Sequence, residues 1–436
     1  MALGGGSFLT ENKILPGSYI NFASTENTAV NLADRGVVAI PLILNWGKNG
    51  VRELTKKDFM KNCKAYFGYS YTHNSMYPFR EMFKHAKKIY VYRLGSQSVK
   101  AENIYATAKY GGSCGNKISV EILNSADKSG YYAVTTYYEG MAVDIQLVRN
   151  MEELHSNAYV TFKDVEIEET AVGGLALENG KTVVNNQEYQ QALDAFESYS
   201  FNSLVLPVGD DSEITDLFVE YTKRRRDEEG VKFQLVCYRA SCDYEGVVSV
   251  YNDTGYYYDT DLVYWVGGLM AGLNVNESAL NLKYDGEIPF DKIICDFTQT
   301  QLEEFIEKGQ LVLHKVNDEP RVLADINTMV TTTAEKGEMF KENQTVRVCD
   351  QIAGDIATLF NTYYLGIVPN DNAGRLSLWN DIVKHHQKLA RLRAIEDFSE
   401  EDITVELGET KKSVVVNDCI TVVNAMGKLY MTVIIQ

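Results

Sequence analysis

Leu429-Tyr430-Met431-Thr432-Val433-Ile434-Ile435-Gln436 is the stretch on which the reading of this chain turns. Leu429, Met431, Val433 and Ile435 alternate with Tyr430, Thr432 and Gln436, the period-2 signature of a strand with one buried face. Two similar runs precede it, Ser413-Val414-Val415-Val416 and Cys419-Ile420-Thr421-Val422-Val423. Chain ends usually fray and are polar. A terminal strand this apolar presents unpaired N–H and C=O groups and invites aggregation unless a sheet receives it. That sheet belongs either to the same subunit or to a neighbour, and the choice decides what the protein is.

Outward from this end, 436 residues are too many for one hydrophobic core, so two to four domains are expected. Hydrophobic content of 45% and charged content of 23% are those of a folded soluble protein. No apolar run is long enough to cross a bilayer, and Met1 to Ser7 lacks the basic start and apolar core of a signal peptide, so use without secretion is expected. The formal charge of -18 opposes nucleic-acid binding, which needs a basic surface against phosphates. Cys63, Cys114, Cys237, Cys242, Cys295, Cys349 and Cys419 are scattered and odd in number, as expected of reduced thiols.

Four segments follow from the periodicity. Residues 1–94 hold strand candidates at Ile14–Phe22, Gly36–Leu44 and Ile89–Leu94, with a helix beginning at Thr55 and Asp58 in its acidic first turn. Residues 95–180 read as strands alone, over Lys117–Ile122, Tyr131–Tyr138, Val143–Leu147 and Tyr159–Phe162, a small β-sandwich or barrel. Residues 181–334 alternate strands with helices, the rhythm of an open α/β sheet. Residues 335–436 carry two helices and the closing strands. On the first helix Ile352, Ile356, Leu359, Phe360 and Tyr363 share a face; on the second Trp379, Ile382, Val383, Leu389 and Leu392 do.

Motifs that carry chemistry read as turns or caps. Gly111-Gly112-Ser113-Cys114-Gly115 fits G-x-S-x-G but opens a strand instead of joining strand to helix. Gly174 to Gly180-Lys181-Thr182 has its glycines one residue too far apart for a phosphate loop. His385-His386 point about 100° apart on a helix, unlike the i, i+4 pairs that chelate zinc. Lys223-Arg224-Arg225-Arg226 reads as cations at a helix C-terminus. No catalytic, cofactor or metal residue is assigned. The second C-terminal helix differs. Arg375, Lys384, Lys388, Arg391 and Arg393 stand against Asp381 alone, five cations minus one acid or +4. Lys384, Lys388 and Arg391 fall at i, i+4 and i+7, one stripe opposite the apolar face.

The order of segments resembles a known family. Met1-Ala2-Leu3-Gly4-Gly5-Gly6, then Leu15-Pro16-Gly17-Ser18-Tyr19-Ile20-Asn21-Phe22, then Ala33-Asp34-Arg35-Gly36-Val37-Val38 resembles the start of contractile phage tail sheath proteins of Gram-positive myophages, defective prophages and R-type bacteriocins. Gly354-Asp355-Ile356, Asn380-Asp381-Ile382 and the closing strands resemble the family's C-terminal domain. The resemblance implies an α+β multidomain fold: a C-terminal α/β assembly domain with N- and C-terminal exchange strands, a β-sandwich-like insertion and a subtilisin-like α/β domain. It implies a non-enzymatic subunit that polymerises helically around a tail tube and contracts, without nucleotide, to drive the tube through a cell envelope.

Inter-subunit strand exchange would then fall to Tyr19, Ile20, Phe22, Leu429, Met431, Val433 and Ile435, a form of β-augmentation. Tube binding would fall to Lys384, Lys388, Arg391 and Arg393. The implied partners are the chain itself, a tail tube protein, and baseplate and tail terminator proteins, with no cofactor, no nucleic acid and no membrane insertion. Assembly is implied in the bacterial host cytoplasm, and the product is a virion tail or a released tail-like particle. Two competing readings are an α/β hydrolase using Ser113 and a non-enzymatic tail adhesin or binding module.

Overall fold

The computed structural model describes residues 32–167, 172–209 and 212–435. The expected strand bearing Tyr19, Ile20 and Phe22 lies outside them. The apolar run after Gly36 forms β1 (Val37–Ile43), with Val38, Ala39 and Ile40 wholly buried. Gly36 sits at φ +114°, and a Cβ there would come within 2.9 Å of Lys87. β2 (Gly50–Thr55) leads into α1 (Lys56–Phe67). Thr55 caps that helix by accepting the Asp58 N–H at 3.2 Å, which satisfies one of its orphan donors. After α2 (Tyr77–Met82) comes β3 (Lys88–Leu94).

Residues from Gly95 leave this sheet and form the expected all-β unit. β4 (Ala106–Ala108), β5 (Ile118–Asn124), β6 (Tyr132–Tyr138), β7 (Met141–Val148), β8 (Val160–Phe162) and β9 (Val172–Ala176) follow in turn. One sheet runs β7-β6-β5-β9 and a second pairs β4 with β8. Val120, Ile122, Val134 and Tyr138 join Ala106, Ala108 and Val160 in a shared buried cluster. Glu139 and Gly140, at φ +53° and +75°, make the tight turn between β6 and β7, whose twist suits a two-residue hairpin. Buried Arg93 bolts the unit to the body by donating to the carbonyls of Leu44, Gly47 and Gly111 at 3.1, 2.7 and 2.5 Å.

The α/β rhythm expected from 181 onward is present. It comprises α3 (Gln187–Phe196), β10 (Ser203–Leu206), α4 (Ser212–Lys223), β11 (Gln234–Tyr238), β12 (Val247–Val250), α5 (Leu262–Gly272), α6 (Gln299–Glu307) and β13 (Gln310–Leu311). A division at residue 94 does not separate two cores, however. One seven-stranded sheet runs β13-β12-β11-β10-β1-β3-β2, parallel except for β2. Strand β1 lies between β3 and β10, and its apolar run needs cover on both faces. Val38, Ile40, Val205 and Val236 pack with α2 and α5, while Ala39, Leu204, Leu206 and Leu235 pack with α3 and α4. The sandwich is thus an insertion between strands of one sheet. Leu313–Val316 and Glu319–Val322 form a separate hairpin, β14 and β15.

Glu81 on α2 is wholly buried. Its carboxylate accepts the Tyr284 hydroxyl at 2.8 Å and the Glu287 N–H at 2.5 Å. Burial outweighs both bonds and pushes the carboxyl up to about 7. The folded chain therefore holds a proton that the unfolded chain releases near the ordinary value of 4.5. Stability should fall as pH rises between those two values and stay level above about 7. Glu81→Gln should flatten this slope. The gap in unfolding free energy between variant and parent should change by up to about 3 kcal/mol across the window. Denaturation series that run parallel at every pH would refute the assignment.

Candidate functional site

The C-terminal segment is two helices and a set of short strands. α7 (Asn343–Leu359) and α8 (Asn372–Arg391) are followed by β16 (Ile395–Glu396), β17 (Ile403–Leu407), β18 (Val414–Asp418) and β19 (Thr421–Val422). α8 begins with Asp371, whose side chain accepts the Gly374 N–H at 2.8 Å. Leu359, Leu378, Ile382, Val383 and Ile403 make a small core of their own. The expected apolar faces hold with two departures. α7 ends in a π-turn, Phe360–Tyr364, whose wider pitch moves the inward position on by one residue. Tyr364 is therefore buried and donates to Asp381 Oδ2 at 2.6 Å, while Tyr363 is exposed. On α8, Leu392 is exposed instead of joining Leu389 in the core.

The basic stripe is only partly a set of solvated charges. Lys384 is exposed but lies 3.2 Å from Asp381, which half-neutralises it. Lys388 is half-buried, and Arg391 and Arg393 are exposed, the latter just beyond the helix at φ +60°. Lys388, Arg391 and Leu392 share a shallow depression with Leu32 and Asp34. Arg375 stands apart near the start of α8, donating to the Asn370 carbonyl at 3.2 Å. The structure thus brings Lys388 and Arg391 together beside the N-terminal segment and leaves Arg375 out.

Among the described residues no strand pairs with the expected closing strand. β17 and β18 pair over five residues, and β16 pairs with β19. Residues 423–435 form no strand. The chain is held as far as Ala425, whose N–H reaches Gln344 Oε1 at 3.1 Å. Beyond it, Leu429, Tyr430, Met431, Val433, Ile434 and Ile435 are each between 69% and 92% exposed. Burying one such side chain fully is worth about 1.5–3 kcal/mol. Leu407, Val415 and Val416 on the hairpin are exposed as well.

Ser113 lies exposed in a short turn that enters β5, and among the described residues no histidine or carboxylate is hydrogen-bonded to its hydroxyl. The Thr182 hydroxyl donates to Asn45 Oδ1 at 2.8 Å, in an extended segment. All seven cysteines are free, and among the described residues no cluster of three or more His, Cys, Asp or Glu could hold a metal. No described helix is long and apolar enough to cross a membrane.

The cationic run is absorbed differently than its position suggests. Arg226 is buried and makes a bidentate pair with Asp350 of α7 at 2.7 and 2.8 Å. This bolt between the α/β body and the C-terminal segment escaped sequence reading, because its partner is 124 residues away.

Family models match along most of the chain. The Gp18 domain III N-terminal region of tail sheath protein matches residues 35–94, and the phage tail sheath β-sandwich domain 86–184. The central domain matches 182–328 and the C-terminal domain 335–436. The phage-like element PBSX protein XkdK of Bacillus subtilis is 30% identical over 99% of both chains. The solved sheath tail protein of Desulfitobacterium hafniense is 32% identical, with a TM-score of 0.81 over 89% of this chain and 93% of that one.

The chain belongs to the phage tail sheath protein family. Its role is that of a structural subunit of a contractile sheath, a component of a phage or prophage tail. The fold extends to the helical sheath of the anti-feeding prophage in its contracted state, at 12% identity and a TM-score of 0.58 over 96% of this chain and 99% of that one. The family is a structural one.

Removing one partner of the Arg226–Asp350 bolt leaves a buried charge uncompensated. Asp350→Ala should lower unfolding stability by about 3–5 kcal/mol. Glu304→Ala, at an exposed carboxylate 3.4 Å from Lys308, should cost about 1 kcal/mol or less in the same denaturation assay. Equal effects would remove the bolt from the argument.

Proposed function

We propose that the sheath subunit joins its neighbours by strand exchange through Leu429, Met431, Val433 and Ile435, with Tyr19, Ile20 and Phe22 as the reciprocal arm. The observation that carries this is the solvent-exposed apolar segment after Ala425, in a segment that also holds a hairpin, β17–β18, with no further strand partner among the described residues. Strand addition satisfies edge N–H and C=O groups and buries alternate side chains at once. A contact of this kind is heterologous, and with a non-closing rotation it builds a helix. Residues 335–436 act on this reading as the assembly domain. Residues 95–180 are the sandwich, and the sheet completed by 181–334 is the subtilisin-like body, a label for topology and not for proteolysis.

The second part of the proposal assigns Lys384, Lys388, Arg391 and Arg393 to the tail tube, with baseplate and terminator proteins at the two ends of the polymer. Assembly in the host cytoplasm completes the reading. Exposed charges contribute weakly one by one, which suits a contact repeated along a lattice and released on contraction.

Two electron-microscopy experiments test these assignments. A chain ending at Lys428 should stay folded but form no long tubes; tubes of parental length would overturn strand exchange. Arg391→Glu with Arg393→Glu should leave sheath tubes intact and abolish co-sedimentation with purified tube. Attachment that is unchanged, and equally insensitive to salt, would remove these residues from the tube contact.

A further inference from the structure

The turn between β5 and β6 presents one phenol to two cations. Tyr131 closes that turn: its N–H donates to the Lys128 carbonyl at 3.3 Å, and its own carbonyl accepts the Ser125 N–H at 2.8 Å. The loop thereby brings Lys128 back over the ring, with Nζ 3.9 Å from the ring centroid. From just past the end of β7, Arg149 Nε donates to the Tyr131 hydroxyl at 2.7 Å, and its guanidinium carbon lies 5.0 Å from the same centroid. This meeting follows from the register. Tyr132 pairs with Val148 in the β6–β7 ladder, so their chain neighbours Tyr131 and Arg149 stand side by side. The Arg149 backbone is steadied in turn, its N–H reaching Glu153 Oε2 at 2.9 Å.

Two cations around one phenol favour its charged form. The Tyr131 oxygen accepts a hydrogen bond from Arg149, and a phenolate would accept it more strongly. Lys128 adds a second positive charge. Together they draw the hydroxyl below its ordinary value of 10, with the Arg149 bond the larger cause. Tyr137 on the same sheet has the opposite setting. Its hydroxyl donates to Glu121 Oε2 at 2.8 Å, and that carboxylate holds the proton in place and pushes the phenol up. The oxyanion is the nucleophilic form of such a group. Tyr131 is also only half-buried, so a reagent reaches its oxygen without opening the sandwich.

We propose that Tyr131 is a covalent modification site, the nucleophilic one among the described tyrosines, which takes a sulfonyl or phosphoryl group from an activated donor. In that step the phenolic oxygen forms a new O–S or O–P bond. The bond from sulfur or phosphorus to the leaving group breaks, the leaving group keeps its electron pair, and the phenolic proton passes to water. Arg149 and Lys128 stabilise the attacking oxyanion and then face the oxygens that the transferred group brings. The site lies in the sandwich and does not depend on how the termini are read.

The test is labelling of the full-length chain near neutral pH with an uncharged arylsulfonyl fluoride and, in parallel, a dialkyl fluorophosphate, each followed by peptide mass spectrometry. Fluoride is the leaving group in both. Exposure alone would place Tyr258, which is 72% exposed, ahead of Tyr131. Tyr131 should instead react about threefold or more faster than Tyr258 and Tyr137, the scale of exposed ionic contacts. Lys128→Met with Arg149→Met should bring Tyr131 down to the rate of Tyr258 and leave Tyr137 and Tyr258 unchanged. Raising the salt to about 1 M should slow Tyr131 alone, because both of its cations are open to screening. A Tyr131 that reacts no faster than Tyr258 in the parent, or at an undiminished rate in the double variant, would overturn the assignment. Should the variant not fold, the parent ranking and its salt dependence decide.

Discussion

An apolar terminal segment that the described residues leave uncovered is the constraint on which the rest of this structure depends. Seven large apolar side chains follow Ala425, and no strand of the described chain pairs with them. The segment before them is held firmly. Gln344 Nε2 donates to the Val423 carbonyl at 2.9 Å, Gln344 Oε1 accepts the Ala425 N–H, and Thr345 lies 3.2 Å from Asn424 Oδ1. Chain held tightly to one residue and released at the next is presented, not frayed. Exposed apolar edges aggregate unless a specific receiver competes for them, so membership of a polymerising family and the exposed segment explain one another.

A presented arm is useful only if its base does not yield. The joint between the α/β body and the C-terminal segment is built from buried polar pairs. Arg226 meets Asp350, Arg347 lies 3.6 Å from Asp325, and Gln234 donates to Asn343 Oδ1 at 2.8 Å. An apolar joint can slide and repack at small cost. Bidentate and charge-assisted bonds hold one geometry, and each misalignment leaves a buried group unpaired. Such a joint adds little to stability compared with apolar packing of the same volume. What it adds is a fixed angle between the body and the C-terminal segment; on the proposed reading, rearrangement during contraction then falls on the arms.

Local signals made much of this legible. Thr55 and Asp58 announced α1, alternation announced the sandwich strands, and apolar spacing announced α7 and α8. The readings that slipped were non-local or depended on backbone irregularity. Nothing between Gly95 and Asn202 indicates that β1 will pair with β10, because partner choice is set by which faces are left to bury. The π-turn at Phe360 moved the buried tyrosine from Tyr363 to Tyr364, and single-residue insertions of that sort leave no periodic trace. His385-His386 offered no metal spacing, and their burial depends on carboxylates 30 residues upstream and 32 downstream, at Asp355 and Asp418. Of the candidate site, the exposed arm and the cationic stripe were visible in the sequence; the half-neutralised Lys384 and the bolt at Arg226 were not.

On the proposed reading, the hairpin of β17 and β18 is ready for strands that the monomer does not yet hold. β17 is fixed to α8 by Trp379, whose indole N–H donates to the Ile403 carbonyl at 2.9 Å. The turn is held by Asn370, which donates to the Lys411 and Ser413 carbonyls at 3.1 and 2.9 Å. β18 ends at Asp418, beside His386. Trp379 takes one strand carbonyl, at the first residue of β17, and the other ties fall on the turn or at the end of β18. A two-stranded ribbon alone is marginal in water. Anchored at three points it keeps its shape, so an incoming strand does not have to order it first. On the proposed reading, that preorganisation lets a modest strand contact, repeated at every subunit, hold a lattice together.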